Sequence, residues 1–217
     1  MTYAELCANI ADVCENTFTA DMLKLFTQQA EQRIYNTAQL PSLRKNTTSV
    51  LTPSSMFTNA PADFLSAFDL AVIHPTTSAY TYLLNKDVNF IREAYPTVAA
   101  TGLPKYYAIF GPQTGDANEV RFSFGPTPDL AYTLELNYFF YPESIVTAGD
   151  TWLGENFDSA LLNGALVEAI RFMKGEPDLV KLYQDTYVQS IALLKNLSDG
   201  KLRQDAYRSG QPRTQVL

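Results

Sequence analysis

The run Val120-Arg121-Phe122-Ser123-Phe124-Gly125-Pro126-Thr127-Pro128-Asp129-Leu130-Ala131-Tyr132-Thr133-Leu134-Glu135-Leu136-Asn137-Tyr138-Phe139-Phe140 separates this chain from an all-helical protein. Val120, Phe122 and Phe124 fall on one side of an extended backbone, with Glu119, Arg121 and Ser123 on the other; period two is the signature of a half-buried strand. The second run is longer. In it, Tyr132, Leu134, Leu136, Tyr138 and Phe140 alternate with Ala131, Thr133, Glu135, Asn137 and Phe139. Gly125-Pro126-Thr127-Pro128-Asp129 between them is rich in turn formers, so the two runs predict an antiparallel hairpin.

Working outward, residues 47–149 share this texture and hold most of the prolines and glycines. Ala71–Ile73, Tyr80–Asn85 and Tyr106–Phe110 read as further short strands, and Asp87–Glu93 as one short helix. The flanks change period. Thr2 and Glu5 have capping-box spacing, after which Tyr3, Leu6, Ile10, Val13 and Cys14 recur helically. A second helix is expected from Asp21 to Ala38, with Met22, Phe26, Ala30 and Ile34 on one stripe, Lys24, Gln28 and Gln32 opposite, and Pro41 closing it. Past the β region, Asn156 or Asp158 caps a helix whose set Leu162, Ala165, Leu166, Ala169, Ile170 and Met173 leaves only Glu168, Arg171 and Lys174 polar. A helix this apolar belongs in the centre. Gly175 is expected to take the left-handed backbone that ends it, and Pro177 to open the last helix, which turns Leu179, Leu182, Tyr183, Thr186, Ile191, Leu194 and Leu197 inward. The short link makes the last two helices antiparallel neighbours.

The expected fold is therefore α+β: an antiparallel four-helix bundle formed by the N-terminal and C-terminal helix pairs, with an antiparallel β-sheet or sandwich module inserted. Residues 1–46 supply the first helices, 47–149 the inserted module, 150–200 the last helices and 201–217 a polar arm.

With 217 residues, 46% hydrophobic and 18% charged, the chain has the composition of an ordinary globular protein. A net charge of −7 argues against a general affinity for nucleic-acid phosphates. The basic excess is local: Lys201, Arg203, Arg208 and Arg213 face only Asp199 and Asp205 in the last twenty residues. Cys7 and Cys14 on one helix lie about 10 Å apart, too far for a disulfide. No secretory leader pattern and no apolar run of membrane-spanning length is present, so the chain reads as soluble, without membrane contact, and made in a reducing cytoplasm.

Chemistry-bearing motifs are few. His74 is the single histidine and has no second imidazole to share a metal, and the cysteines fit no zinc or redox spacing and read as small buried hydrophobes. No phosphate-cradling or nucleophile-elbow glycine motif occurs, so no metal, no cofactor and no catalytic residue is expected. Asp150, Glu155 and Asp158 are close enough in sequence to be weighed as an acid and base pair of a cell-wall glycan hydrolase. Helix starts, where carboxylates complement the backbone dipole, account for them better. Thirteen Tyr and thirteen Phe admit a host-glycan-binding β module. Tyr107 and Phe139, taken as solvent-side aromatics, are better placed against a neighbouring subunit.

The order of segments resembles the head-to-tail adaptor proteins of short-tailed bacteriophages, the group that includes the tail tubular protein A-like proteins at the portal side of the tail. The marks are Thr2-Tyr3-Ala4-Glu5-Leu6, Ala30-Glu31-Gln32-Arg33-Ile34, Pro61-Ala62-Asp63-Phe64-Leu65, Gly102-Leu103-Pro104-Lys105-Tyr106-Tyr107-Ala108-Ile109, Tyr141-Pro142, Trp152-Leu153 and Ala165-Leu166-Val167-Glu168-Ala169. The resemblance implies a non-enzymatic virion protein in the neck between capsid and tail. It implies a homo-oligomeric ring, commonly of twelve copies, joining the portal protein to the next tail or nozzle protein, with DNA passing through the lumen unbound. Lys201, Arg203, Tyr207, Arg208 and Arg213 would then belong to a portal-docking arm, with arginine forks on carboxylates.

Overall fold

The structure, a computed structural model, describes residues 1–38, 40–111 and 120–203. In chain order the elements are α1 (Tyr3–Cys14), α2 (Ala20–Thr37), β1 (Arg44–Val50), β2 (Phe57–Asn59), β3 (Ser66–Ile73), β4 (Tyr80–Tyr82), β5 (Leu84–Asn85), α3 (Val88–Ala94), β6 (Thr101–Gly102) and β7 (Tyr106–Phe110). There follow β8 (Arg121–Gly125), β9 (Thr127–Pro128), β10 (Thr133–Phe139), α4 (Ile145–Ala148), α5 (Trp152–Asn156), α6 (Asp158–Phe172) and α7 (Pro177–Arg203). The class is α+β. The chain divides into two compact units, one made of Met1–Pro41 with everything from Pro142 onward, the other of Ser42–Tyr141.

In the helical unit the capping box at Thr2 forms as expected: Thr2 Oγ1 accepts the Glu5 N–H at 3.3 Å and Glu5 Oε2 accepts the Thr2 N–H at 2.8 Å. The expected core helix is α6, with α1, α2 and α7 all packed on it. Small residues allow that approach. A Cβ on Gly164 would lie 3.1 Å from both Ala30 Cβ and Tyr187 Cε2, so α2 and α7 close on α6 where it has no side chain. Glu168 pairs with Arg33 of α2, and Arg171 donates to Gln184 of α7 at 2.8 Å. The cysteines are half-buried and free, and Val13 is exposed, so α1 buries a narrower stripe, Leu6 and Ile10, than its period suggested.

Two expectations at the α6–α7 corner are corrected. The left-handed residue is Lys174 (φ 57°), not Gly175. Lys174 N–H donates to Arg171 and Gly175 N–H to Ile170, the paired bonds of a Schellman ending in which the glycine takes the second position beyond the cap. Glycine is needed there for space, since a Cβ would sit 2.6 Å from Ile170 Cγ2. Further on, α7 buries Tyr187, Ser190, Ile191 and Leu194, while Leu179 (47% exposed), Leu182 (57%) and Thr186 face out. The apolar residues of α7 form two adjacent stripes, and periodicity alone picked the wrong one for its first half.

In the β unit, β1-β10-β3-β4 form one antiparallel sheet and β2-β8-β7-β5 another, with β6 and β9 as a separate pair. β5 on β7 and β6 on β9 are parallel, so the module is not purely antiparallel. Leu70, Val72, Leu134, Leu136 and Tyr138 from the first sheet share one core with Tyr107, Phe122 and Phe124 from the second, as in a sandwich. β10 shows the predicted alternation, with Leu134, Leu136 and Tyr138 in and Thr133, Glu135 and Asn137 half-exposed.

The predicted hairpin does not form: β8 pairs with β2 and β7, and β10 with β1 and β3. Gly125–Asp129 is long enough to carry the chain from one sheet to the other, and Thr127–Pro128 pairs with Thr101–Gly102 on the way. The polar β1, Arg-Lys-Asn-Thr-Thr-Ser-Val, gave no apolar alternation because it is a sheet edge, and it begins at Arg44, past the expected helix end at Ala38 but before the expected start of the inserted module at residue 47. Asp87 caps α3, its Oδ1 accepting the Asn89 N–H at 2.7 Å, close to where the short helix was expected.

Candidate functional site

The expected docking residues fall in different places. Tyr107 is only 5% exposed, and its ring packs on Phe122 with 6.1 Å between centroids. It belongs to the core of its own unit and not to the solvent side, because β7 pairs Tyr107 with Phe124 and turns both inward. Phe139 is half-buried at the other end of the first sheet, edge-on to Phe68 at 6.0 Å, with the Arg44 guanidinium 4.6 Å from the Phe68 ring and 5.6 Å from the Phe139 ring. Lys201 and Arg203 lie on the last turn of α7, so the backbone of the expected arm begins as helix. Tyr207, Arg208 and Arg213 lie outside the described residues.

His74, Glu155 and Asp158 have local structural roles. His74 Nδ1 accepts the backbone N–H groups of Thr76 and Thr77 at 3.2 and 3.3 Å, organising the β3–β4 turn, and its ring meets Tyr132 edge-on at 5.7 Å. Asp150, Glu155 and Asp158 are all exposed; Glu155 and Asp158 sit in the first turns of α5 and α6. Among the described residues no cluster of three or more His, Cys, Asp or Glu side chains has metal-holding geometry, and no helix is long and apolar enough to cross a membrane.

The segments that carried the resemblance act as joints. Asp63 of Pro61–Leu65 accepts Tyr138 Oη–H at 2.8 Å and the Lys45 ammonium at 2.7 Å, and Phe64 meets Phe122 edge-on at 5.3 Å. The Lys45 hydrogen bond holds the Asp63 carboxyl below the usual carboxylate range. In the helical unit Glu31 of Ala30–Ile34 is buried and accepts the Ile145 N–H at 2.9 Å, fastening α2 to the start of α4. Burial pushes that carboxyl up, against the opposing pull of its hydrogen bonds from Ile145 and Ser144. Met1 and Tyr3 tie the same stretch down, donating to Gly154 O at 2.8 Å and Gly149 O at 2.9 Å.

Among the described residues, three exposed surfaces are candidates for contact with other proteins. One is the second stripe of α7, carrying Leu179, Leu182 and Leu193. Another is the outer face of the β1-β10-β3-β4 sheet, where Tyr80 and Tyr82 stand beside Glu135; that carboxylate raises the Tyr80 phenol above its ordinary range. The third lies where α3 meets β7, with Phe90, Ile109 and Phe110 exposed. Sequence reasoning missed Tyr80 and Tyr82 because the Tyr-Thr-Tyr alternation marks a strand but carries no information on which side is inside. It missed Glu31 because a glutamate on a helical stripe next to Ala30 and Ile34 is a surface residue in most helices.

No curated protein matches the chain. The family of SU10 adaptor proteins matches residues 1–215, almost the whole length and both units. By that match the chain belongs to the SU10 adaptor protein family, structural phage proteins that serve as head-tail adaptors.

Proposed function

We propose that copies of the chain form a closed ring, commonly of twelve, in the virion neck, joining the portal to the next tail or nozzle protein while the genome passes through the lumen. The helices α1, α2, α6 and α7 form the bundle on the portal side, and residues 201–217 are the arm that engages portal carboxylates through Lys201, Arg203, Arg208 and Arg213. The β unit meets the tail. The observation that carries this reading is the division of one adaptor-family chain into two units with separate cores, one helical and one built on sheets. A protein that joins two unlike neighbours needs two unlike surfaces. The net charge of −7 suits a conduit, because like-charged walls give DNA phosphates no counter-ion release to gain.

Co-sedimentation with portal rings tests the arm: the full chain is expected to pellet with them, and a chain cut after Gly200 to remain largely in the supernatant with unchanged circular dichroism. Equal pelleting of the two would show that 201–217 is not the docking element. The ring itself is tested by native mass measurement of the chain with and without portal. A chain that stays single on portal-bearing particles would refute it.

A further inference from the structure

In the sheet ordered β1-β10-β3-β4, β1 closes one edge and β4 the opposite one, about 14 Å away across three strand spacings. Every neighbouring pair is antiparallel, so β4 runs against the direction of β1. The backbone bonds fix which groups point off each edge. Leu51 N–H donates to Tyr132 O and Phe140 N–H to Leu43 O, so the odd-numbered residues of β1 bond to β10, while Asn46, Thr48 and Val50 turn their N–H and C=O groups away from it. His74 N–H donates to Ala79 O and Leu83 N–H to Leu70 O, so Thr81 bonds to β3, and Tyr80 and Tyr82 turn their backbone groups outward. Among the described residues these outward groups have no backbone partner.

Sheets usually guard such edges with a proline, a bulge or an outstretched charge. β1 keeps one register with β10 over all of 44–50, without a bulge and without proline. Its charges are engaged within the unit, Arg44 on Phe68 and Phe139 and Lys45 on Asp63 at 2.7 Å. Around β4, Ala79-Tyr80-Thr81-Tyr82-Leu83 carries neither charge nor proline. The side chains at the two edges also lie in shared rows. On the face away from the core, Thr48, Glu135, Ala71 and Tyr82 make one row and Val50, Thr133, Ile73 and Tyr80 the next. Both rows end exposed on both sides, with Val50 at 64%, Tyr80 at 57% and Tyr82 at 68%.

We infer that β4 of one copy adds to β1 of the next copy around the ring, so that the β1-β10-β3-β4 sheets join edge to edge. Rotation about an axis along the strands preserves strand direction, and the antiparallel alternation then continues across the junction. Copies at one level have no stagger, so each row runs into the same row of its neighbour, with Tyr82 opposite Thr48 and Tyr80 opposite Val50. Both are hydrogen-bonded pairs of an antiparallel ladder, each exchanging two N–H···O bonds between groups that a single copy leaves to water. A tyrosine ring across from a β-branched residue is a favourable cross-strand pair. The joined edges are unlike and lie on opposite sides of the sheet, which makes the contact head-to-tail, the kind that generates rings. A two-fold β1–β1 contact would leave both tyrosines uncovered. This inference rests on the ring reading above and adds which edges close the ring.

The test uses the full chain in assembled necks. Thr48→Cys and Tyr82→Cys, both at exposed positions, are introduced singly and together, and a short bis-maleimide is added. The double variant is expected to give a series of covalent multiples of the chain on a denaturing gel. The single variants, which also carry Cys7 and Cys14, should give none. Rings of normal size without multiples would overturn this contact and leave the ring standing. Dimers from Thr48→Cys alone would overturn it in favour of a two-fold β1 contact, and a cross-link to a protein of different mass in favour of a tail component on this edge. Necks with no ring of this chain would remove both readings. As an independent measurement, Thr48→Pro deletes an N–H that points off the edge, so the chain's own ladder keeps its bonds while the junction loses one. Ring yield should fall about tenfold with unchanged circular dichroism; unchanged yield would overturn the contact.

Discussion

Replacing Phe122 by Ala removes the side chain at the centre of the core that the two sheets of the β unit share. Phe122 has no exposed surface and meets Phe64 edge-on at 5.3 Å and Tyr107 at 6.1 Å between ring centroids. Truncating such a residue costs about 3–5 kcal/mol in transfer energy and residual cavity. Each edge contact is worth roughly 0.5–1.5 kcal/mol beyond its area, which places the loss toward the upper end of that range. A domain holds only about 5–15 kcal/mol in total, so the β unit of the Ala variant should be near its unfolding threshold. Phe122→Leu keeps most of the volume and should cost only about 1.5 kcal/mol. Urea unfolding by far-UV circular dichroism measures the sum, and hydrogen exchange read by mass spectrometry locates it. Peptides from β7, β8 and β10 should lose protection while α6 retains it, and the emission of Trp152, the single tryptophan and a residue of the helical unit, should report little change. A loss below about 2 kcal/mol, or equal costs for Ala and Leu, would refute the assignment of Phe122 as the packed centre.

Gly175→Ala should destabilise the helical unit by about 1–3 kcal/mol through overpacking on Ile170, measured as a drop in the urea midpoint at constant slope. A neutral result would mean that Ile170 gives way. Glu31→Gln should remove a pH dependence. Because burial raises the folded-state pKa of Glu31 above its ordinary value, the native state binds the proton more tightly than the unfolded chain does. Wild-type stability should therefore fall, relative to the Gln variant, as pH rises from about 4.5 through the raised pKa, with the full penalty present at neutral pH. Parallel stability curves for the two proteins over that interval would show that the carboxyl is not desolvated as the geometry requires.

Much of this protein is legible in its residues, and the failures have a common cause. Alternation at 132–140 and helical recurrence at 160–173 report which residues are buried, because burial is written into each element's own period. The capping box at Thr2 and the proline at 177 are equally local, and both stand at the helix starts that their chemistry dictates. The family resemblance rests on segments such as Pro61–Leu65 and Ala30–Ile34, which turn out to be joints of the two cores. Periodicity carries no address, however. It could not say that β8 and β10 belong to different sheets, nor that Tyr107 faces inward.

The amino-acid order by itself determined the α+β class, the central apolar helix, most element positions and the family. Tertiary structure alone decided strand partners, which of two apolar stripes on α7 is covered, and that Lys174 takes the left-handed turn so that Gly175 can pass Ile170. The physical reason is range. Backbone period, capping and turn chemistry act within a few residues, whereas pairing and coverage depend on which surfaces from distant parts of the chain arrive together to exclude water.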